Sequence, residues 1–183
     1  MGVIKQKIIV VGDPAVGKTS LVKKNTKGEF QKEYISTLGA QFSRYEEIIN
    51  DDVVELIIWD IAGQETYNMM RQKFYIGSGG AIVVFSHSSK ESNSFDKIDK
   101  WVEEIRKYCG EIPLVLFGNK IDLIDLRELE EKTSLNTCDT NVNHLMEKTG
   151  FLGYFKTSAL TGVGVIEAFR VLVKELYKNS MIE

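Results

Sequence analysis

Cysteine is almost missing from this chain. The two present, Cys109 and Cys138, lie far apart and form no C-x-x-C pair. That excludes a disulfide framework, and two reduced thiols are expected. Proline is as scarce, with only Pro14 and Pro113, so little interrupts helices or strands. No apolar run approaches the ~20 residues needed to cross a bilayer. Met1 to Gln6 lacks the apolar core of a signal peptide. Gln6 also breaks the myristoylation pattern that Gly2 would begin. Lys178 to Glu183 holds no cysteine and hence no prenylation site. Charge of one sign is lacking too: 26 acids stand against 23 Lys and Arg, a net charge of -3. Nothing here suits a chain built to coat nucleic acid. These absences lead to the expectation of a cytoplasmic protein with no nucleic-acid partner and no membrane anchor of its own.

What is present is an ordinary globular composition, 43% hydrophobic and 27% charged over 183 residues. The length suits a single domain spanning 1–183 with a sizeable core. Lys7 to Val11 is a β-branched run ending at a glycine, which predicts a buried strand. A helix is expected from Gly17 to about Thr26. Gln41 to Ile49 and Val53 to Trp59 read as a hairpin around Asn50-Asp51-Asp52. Ala81 to Phe85, Leu114 to Phe117 and Tyr154 to Thr157 predict further strands. Phe95, Ile98, Val102 and Ile105 recur at helical spacing, as do Val165, Phe169, Leu172 and Leu176 on a final helix from Val165 to Lys178. Such alternation predicts an α/β sheet covered on both faces. Ligands of these sheets bind at the carboxyl ends of the strands.

The motifs fall in those loops. Gly12-Asp13-Pro14-Ala15-Val16-Gly17-Lys18-Thr19 fits G-x-x-x-x-G-K-[ST], after a predicted strand and opening a helix. A glycine-rich turn lets backbone N–H groups curl round a phosphate, and the helix N-terminus adds partial positive charge. Lys18 would reach the outer phosphates and the Thr19 hydroxyl would bind magnesium. By average residue usage, a chance match in a chain of this length is on the order of one in a hundred.

Asp60-Ile61-Ala62-Gly63-Gln64 ends another strand. Asp60 would hold magnesium through water, Gly63 would offer its N–H to the last phosphate, and Gln64 would orient an attacking water. Asn119-Lys120-Ile121-Asp122 follows the Leu114 strand. The Asp122 carboxylate would accept two hydrogen bonds from guanine, a donor pair that adenine lacks. Asn119 would tie loops together, and the Lys120 stem would cover one face of the base. Thr157-Ser158-Ala159-Leu160 would bring the Ala159 N–H to the guanine oxygen. Phe30 would stack against the base, unless it simply packs in the core. Thr37 would complete the magnesium shell only with a third phosphate present.

In this order and at this spacing, the five stretches resemble the Ras superfamily of small GTPases, and most closely its Rab branch. The resemblance runs from Val3 to about Tyr177. It includes Tyr34-Ile35-Ser36-Thr37-Leu38-Gly39-Ala40-Gln41-Phe42 and Trp59-Asp60-Ile61-Ala62-Gly63-Gln64-Glu65. Phe42, Trp59 and Phe74 match the family's aromatic trio, with Phe74 where Tyr is usual.

The resemblance implies a three-layer sandwich of the P-loop NTPase type. Its six-stranded, mostly parallel sheet would have one antiparallel edge strand and about five helices. It implies that GTP and GDP are held by Asp13, Ala15, Val16, Gly17, Lys18, Thr19, Ser20, Phe30, Tyr34, Thr37, Gly63, Asn119, Lys120, Asp122, Ser158, Ala159 and Leu160. Magnesium would be held by Thr19, Thr37 and Asp60, and hydrolysis served by Gln64 and Lys18. It also implies a monomeric switch, reached by effectors, exchange factors and GTPase-activating proteins through residues 30–42 and 60–77. Rab proteins usually carry a prenylated tail; this sequence shows none, which fits either a truncated tail or a protein that meets membranes through partners.

The sequence departs from the family at four places. Pro14 and Ala15 replace small residues of the phosphate loop, and Pro14 has no N–H. That keeps open a rival reading, a nucleotide-gated binding module with negligible turnover. Leu160 stands where Lys is frequent. The stretch from Asp122 to Ser158 is some nine residues longer than is usual. Its polar part, Glu128 to Thr140, is a partner-binding insert or a tolerated surface loop, and the loop is the simpler expectation. A second rival, an ATP-using P-loop enzyme, is disfavoured by Asn119 to Asp122.

Overall fold

A computed structural model describes residues 2–26, 33–35, 40–64, 68–125, 129 and 137–182. Seven strands form one sheet: β1 (Val3–Gly12), β2 (Glu33–Ile35), β3 (Ala40–Ile49), β4 (Asp52–Ile61), β5 (Gly80–Ser86), β6 (Leu114–Asn119) and β7 (Gly153–Lys156). The order across the sheet is β2-β3-β4-β1-β5-β6-β7. The six expected strands are all present, and β3 is the one that runs against the rest. The three-residue β2 pairs antiparallel outside it, from Glu33 opposite Phe42 to Ile35 opposite Ala40.

Five α-helices lie among the described residues: α1 (Lys18–Asn25), α2 (Asn68–Tyr75), α3 (Ile98–Cys109), α4 (Asp139–Thr149) and α5 (Val165–Ser180). None is long and apolar enough to cross a membrane. Cys109 and Cys138 are both free thiols.

The period-two rule of a strand explains the three layers. On β1, Ile8 and Val10 face a core completed by Leu21 and Val22 of α1 and by Phe169, Leu172 and Val173 of α5. Their neighbours Ile9 and Val11 face the other way, onto Tyr75, Ile105 and Val142 from α2, α3 and α4. A strand buried on both faces must read as a continuous apolar run, as Ile8 to Val11 of β1 and most of β5 and β6 do.

The β3–β4 hairpin turns on Asn50 and Asp51, both at positive φ (49° and 69°). That is the requirement of a tight primed turn, and Asn and Asp tolerate it. One boundary moved. Phe95 lies before α3, which begins at Ile98, because a short 3-10 segment, Ser89–Ser94, fills the approach. Phe95 instead packs edge-on against Phe85, with ring centroids 5.1 Å apart.

The parallel register sets up the site. Val10 pairs with Asp60, Gly12 with Val84, and Ser86 with Asn119. The ends of β1, β4, β5 and β6 therefore reach one edge together, and the three main motifs emerge side by side.

Candidate functional site

The loop after β1 is shaped by its backbone. Gly17 sits at φ 101°, and a Cβ there would lie 2.3 Å from Asn119 Nδ2. Only glycine leaves the room that the Asn119 amide occupies. Ala15 holds a left-handed conformation, φ 65°, without being glycine. Successive N–H groups in such a turn form an anion-binding concavity leading into the N-terminus of α1.

Lys18 is buried beneath this loop and donates to the carbonyls of Gly12 and Asp13, both at 2.9 Å. Burial pushes its ammonium down to about 8, against the pull of Asp60 and Asp13 and with help from Arg71. Beside it, the Thr19 hydroxyl donates to Asp60 Oδ2. Burial raises the Asp60 carboxyl above its ordinary value, although Thr19, Lys18 and Lys23 oppose the shift.

Gly63 closes this part of the site. A Cβ on it would stand 2.2 Å from the Gly12 oxygen and 2.8 Å from the Pro14 nitrogen. The segment after β4 thus lies directly against the phosphate loop. Ala15, Lys18, Thr19, Asp60, Gly63 and Gln64 line a cavity of about 270 Å³, together with Pro14, Ala40, Gln41 and Ala62. Gln64 is exposed at its edge.

A second cavity, of about 340 Å³, is lined by Gly17, Ser20, Asn119, Lys120, Asp122, Leu123, Ala159 and Leu160. Asn119 organises it. Its Nδ2 donates to the Val16 carbonyl at 2.8 Å, and its Oδ1 accepts from the Ala159 N–H at 3.1 Å. The Ser158 hydroxyl donates to Asp122 Oδ1 at 2.5 Å and so holds that carboxylate in one pose. Lys120, at φ 66°, turns the chain sharply between the strand and Asp122. Lys24 donates to the Leu160 carbonyl at 3.1 Å, leaving the leucine side chain exposed at the rim.

Most residues predicted from sequence therefore gather around two adjoining cavities. Val16 and Ser158 are buried and contribute through their bonds to Asn119 and Asp122. Asp13 is placed differently from a ligand-facing carboxylate. Its Oδ1 accepts from Trp101 Nε1 at 3.0 Å and its Oδ2 from Lys97 at 2.7 Å, so its side chain is committed to α3. Phe30 and Thr37 lie outside the described residues, as do most of 30–42 and Glu65. Tyr34 is described only as backbone within β2. Most of Glu128 to Thr140 is also outside them. Of the aromatic trio, Phe42 and Trp59 meet edge-on at 4.0 Å, and Trp59 lies 5.2 Å from Phe74.

Sequence reading missed three contributors. Trp101 and Lys97 anchor the phosphate loop through Asp13. Glu91 pairs with Lys120 at 3.0 Å. No motif marks them, because each acts across the fold on a residue that a motif does mark.

Comparison with known proteins agrees with this geometry. A model described as the Ras family matches residues 7–178. The Ras-related protein Rab11A of Lotus japonicus is 33% identical over 172 residues, covering 93% of this chain and 71% of that protein. The Ras-related protein Rab7 of Drosophila melanogaster is 34% identical over 173 residues, 92% of this chain and 78% of the relative. The GTP-binding protein yptV5 of Volvox carteri is 34% identical over 183 residues, 97% and 84% of the two chains. The chain belongs to the Ras family of small GTPases, and its relatives place it on the Rab-like side of that family.

Proposed function

We propose that this protein is a guanine-nucleotide switch that binds GTP and GDP with Mg2+ and hydrolyses GTP slowly. The observation that carries the reading is Asn119. One side chain joins the phosphate loop, through Val16, to the base loop, through Ala159. A ligand with phosphates at one end and a base at the other fits two cavities linked in this way.

In this reading, phosphates lie in the cavity of Lys18 and Thr19, held by the loop N–H groups and the Lys18 ammonium. The base lies in the cavity of Asn119 and Asp122, where the carboxylate fixed by Ser158 selects guanine. Ser20 and Leu160 line that cavity, and Phe30 and Tyr34 would flank the base. The Thr19–Asp60 pair fits a hard divalent cation: both oxygens are already adjacent, and Asp60 is a buried carboxylate that a cation would hold ionised. Thr37 would add a ligand in the GTP state. When bound, magnesium supplies charge neutralisation at the outer phosphates.

The protein's part is to position and to stabilise charge. Gln64, at the cavity edge, orients the attacking water. Lys18 and the Gly63 N–H meet charge that develops on the terminal phosphate. Among the described residues no arginine lines this cavity, which supports a low intrinsic rate and a need for an activating partner. Residues 30–42 and 60–77 would be the switches read by effectors, exchange factors and GTPase-activating proteins. By this reading the protein is a monomeric regulator of signalling or vesicle traffic, cytoplasmic and meeting membranes through partners.

Pro14 favours a second reading. It lines the phosphate cavity with a ring where an N–H would otherwise stand. Under that reading the protein is a nucleotide-gated binding module with negligible turnover. Single-turnover hydrolysis of GTP by the wild type and Gln64→Ala separates the two. The switch reading expects a slow wild-type rate that falls at least tenfold in the variant. Equal rates would remove Gln64 from the mechanism, and no measurable rate in either would favour the binding module.

A further inference from the structure

Lys120 is placed by its stem, yet a lysine stem is the most flexible wall a base pocket can have. Its backbone is constrained: φ is 66°, a left-handed conformation disfavoured for a residue with a Cβ. Its far end is constrained as well. Lys120 Nζ lies 3.0 Å from Glu91 Oε2, with the side chains 25% and 16% exposed. Contact at this depth outlasts the screening that weakens surface pairs.

Glu91 is itself held by a serine-built turn between β5 and α3. The Ser86 hydroxyl, fully buried, donates to Glu91 Oε2 at 3.1 Å. The turn is closed by bonds from Ser86 N to Ser94 Oγ at 3.0 Å, from Ser88 N to Ser86 Oγ at 3.1 Å and from Lys90 N to Ser88 Oγ at 3.3 Å. Burial works against ionisation of Glu91, but hydrogen bonds from Lys120, Ser88 and Ser86 outweigh it and keep the carboxyl below its ordinary range. The backbone N–H of His87 in the same turn donates to the Asn119 carbonyl at 2.9 Å. The turn is therefore fastened to the base loop at two points, one main chain and one ionic.

We propose that Glu91 is a positioning residue of the base pocket: it anchors the Lys120 ammonium so that the lysine stem stands as a fixed wall beside guanine. Tethering at both ends removes stem entropy before the ligand arrives, which is preorganisation. The loss of the tether appears in the rate at which nucleotide leaves, because most affinity changes within one site are changes in dissociation.

The inference rests on the guanine reading of this cavity, and the experiment keeps the two apart. Dissociation of fluorescent mant-GDP is followed by chase with excess GDP, for the wild type, Glu91→Gln, Lys120→Met and the double variant. Lys120→Met keeps the stem and removes the tether. Each single variant is expected to release nucleotide about tenfold faster, as a charge-assisted bond would give. The double variant should be no faster than Lys120→Met, and Glu91→Asp should recover most of the wild-type dwell time. A wild-type rate in Glu91→Gln overturns the proposal. So does an undiminished effect of Glu91→Gln in the Lys120→Met background, which would mark general loosening of the serine turn. If the wild type binds no mant-GDP while binding mant-ADP, the guanine reading fails and the proposal with it.

Discussion

Replacing Asn119 with alanine should damage both stability and nucleotide retention, and the size follows from its bonds. Asn119 is 1% exposed. Its loss leaves the Val16 carbonyl and the Ala159 N–H without their partners at 2.8 and 3.1 Å. A buried polar group left unpaired costs about 1–3 kcal/mol. The contact from Thr157 Oγ1, at 3.4 Å, is long and adds little. Val16 is fully buried, so its carbonyl carries the upper part of the range, while Ala159 is part-buried and reaches water more readily. The sum is about 2–5 kcal/mol, a large share of the ~5–15 kcal/mol that holds a domain folded. Urea denaturation of the nucleotide-free protein reads it directly, as a lower midpoint at unchanged slope. The same cut separates the phosphate loop from the base loop, so mant-GDP should leave at least tenfold faster. A loss below about 1 kcal/mol with an unchanged dissociation rate would refute the linking role of this residue.

Three other outcomes are expected. His87 is buried against Tyr154, its Nε2 2.9 Å from the phenol oxygen. Burial first, then Lys156, push its imidazole from 6.5 down to about 4, against Asp139. The unfolded chain therefore binds the extra proton between these values. Stability is complete above about pH 6.5 and falls by about 3 kcal/mol as pH drops through 4, a slope that His87→Gln should flatten in denaturation at several pH values. Ala15→Gly relieves the φ of 65° and should raise the unfolding free energy read by urea denaturation by about 0.5–1 kcal/mol; a lower midpoint would show that Ala15 is unstrained. Trp101→Phe keeps a ring beneath the Arg71 guanidinium, 4.6 Å away, but deprives Asp13 of a donor at 3.0 Å. It should cost about 1–2 kcal/mol in calorimetry, and Asp13→Asn should cost less in this background than in the wild type, the Lys97 pair alone remaining to be lost.

Much of the fold was legible because it repeats simple periods. The continuous apolar runs of β1, β5 and β6 and the helical spacing from Ile98 to Ile105 each had one physical solution. The Asn50-Asp51 turn did too. Phe95 was misplaced because its spacing continued the helical pattern, and nothing in the local sequence shows that a serine-rich 3-10 segment interrupts it. β2 was missed because a three-residue strand carries too few positions to show a period. At the site, the motifs named the residues that face the two cavities, since turn and phosphate chemistry restrict those types. They did not name Trp101, Lys97 or Glu91. A tryptophan on an apolar helix face and a glutamate in a polar turn have ordinary roles as well. Only the three-dimensional approach of Asp13 and Lys120 gives these residues their present one.

The identity of the nucleotide carried by the purified protein tests the central claim most directly. Released by denaturation and separated by ion-exchange chromatography, it should be GDP with some GTP, near one molecule per chain. Asp122→Asn, which turns one of the two acceptor oxygens facing guanine's donor pair into a donor, should carry markedly less. An adenine nucleotide in the wild type, or no nucleotide and no GTP binding after titration, would contradict the account.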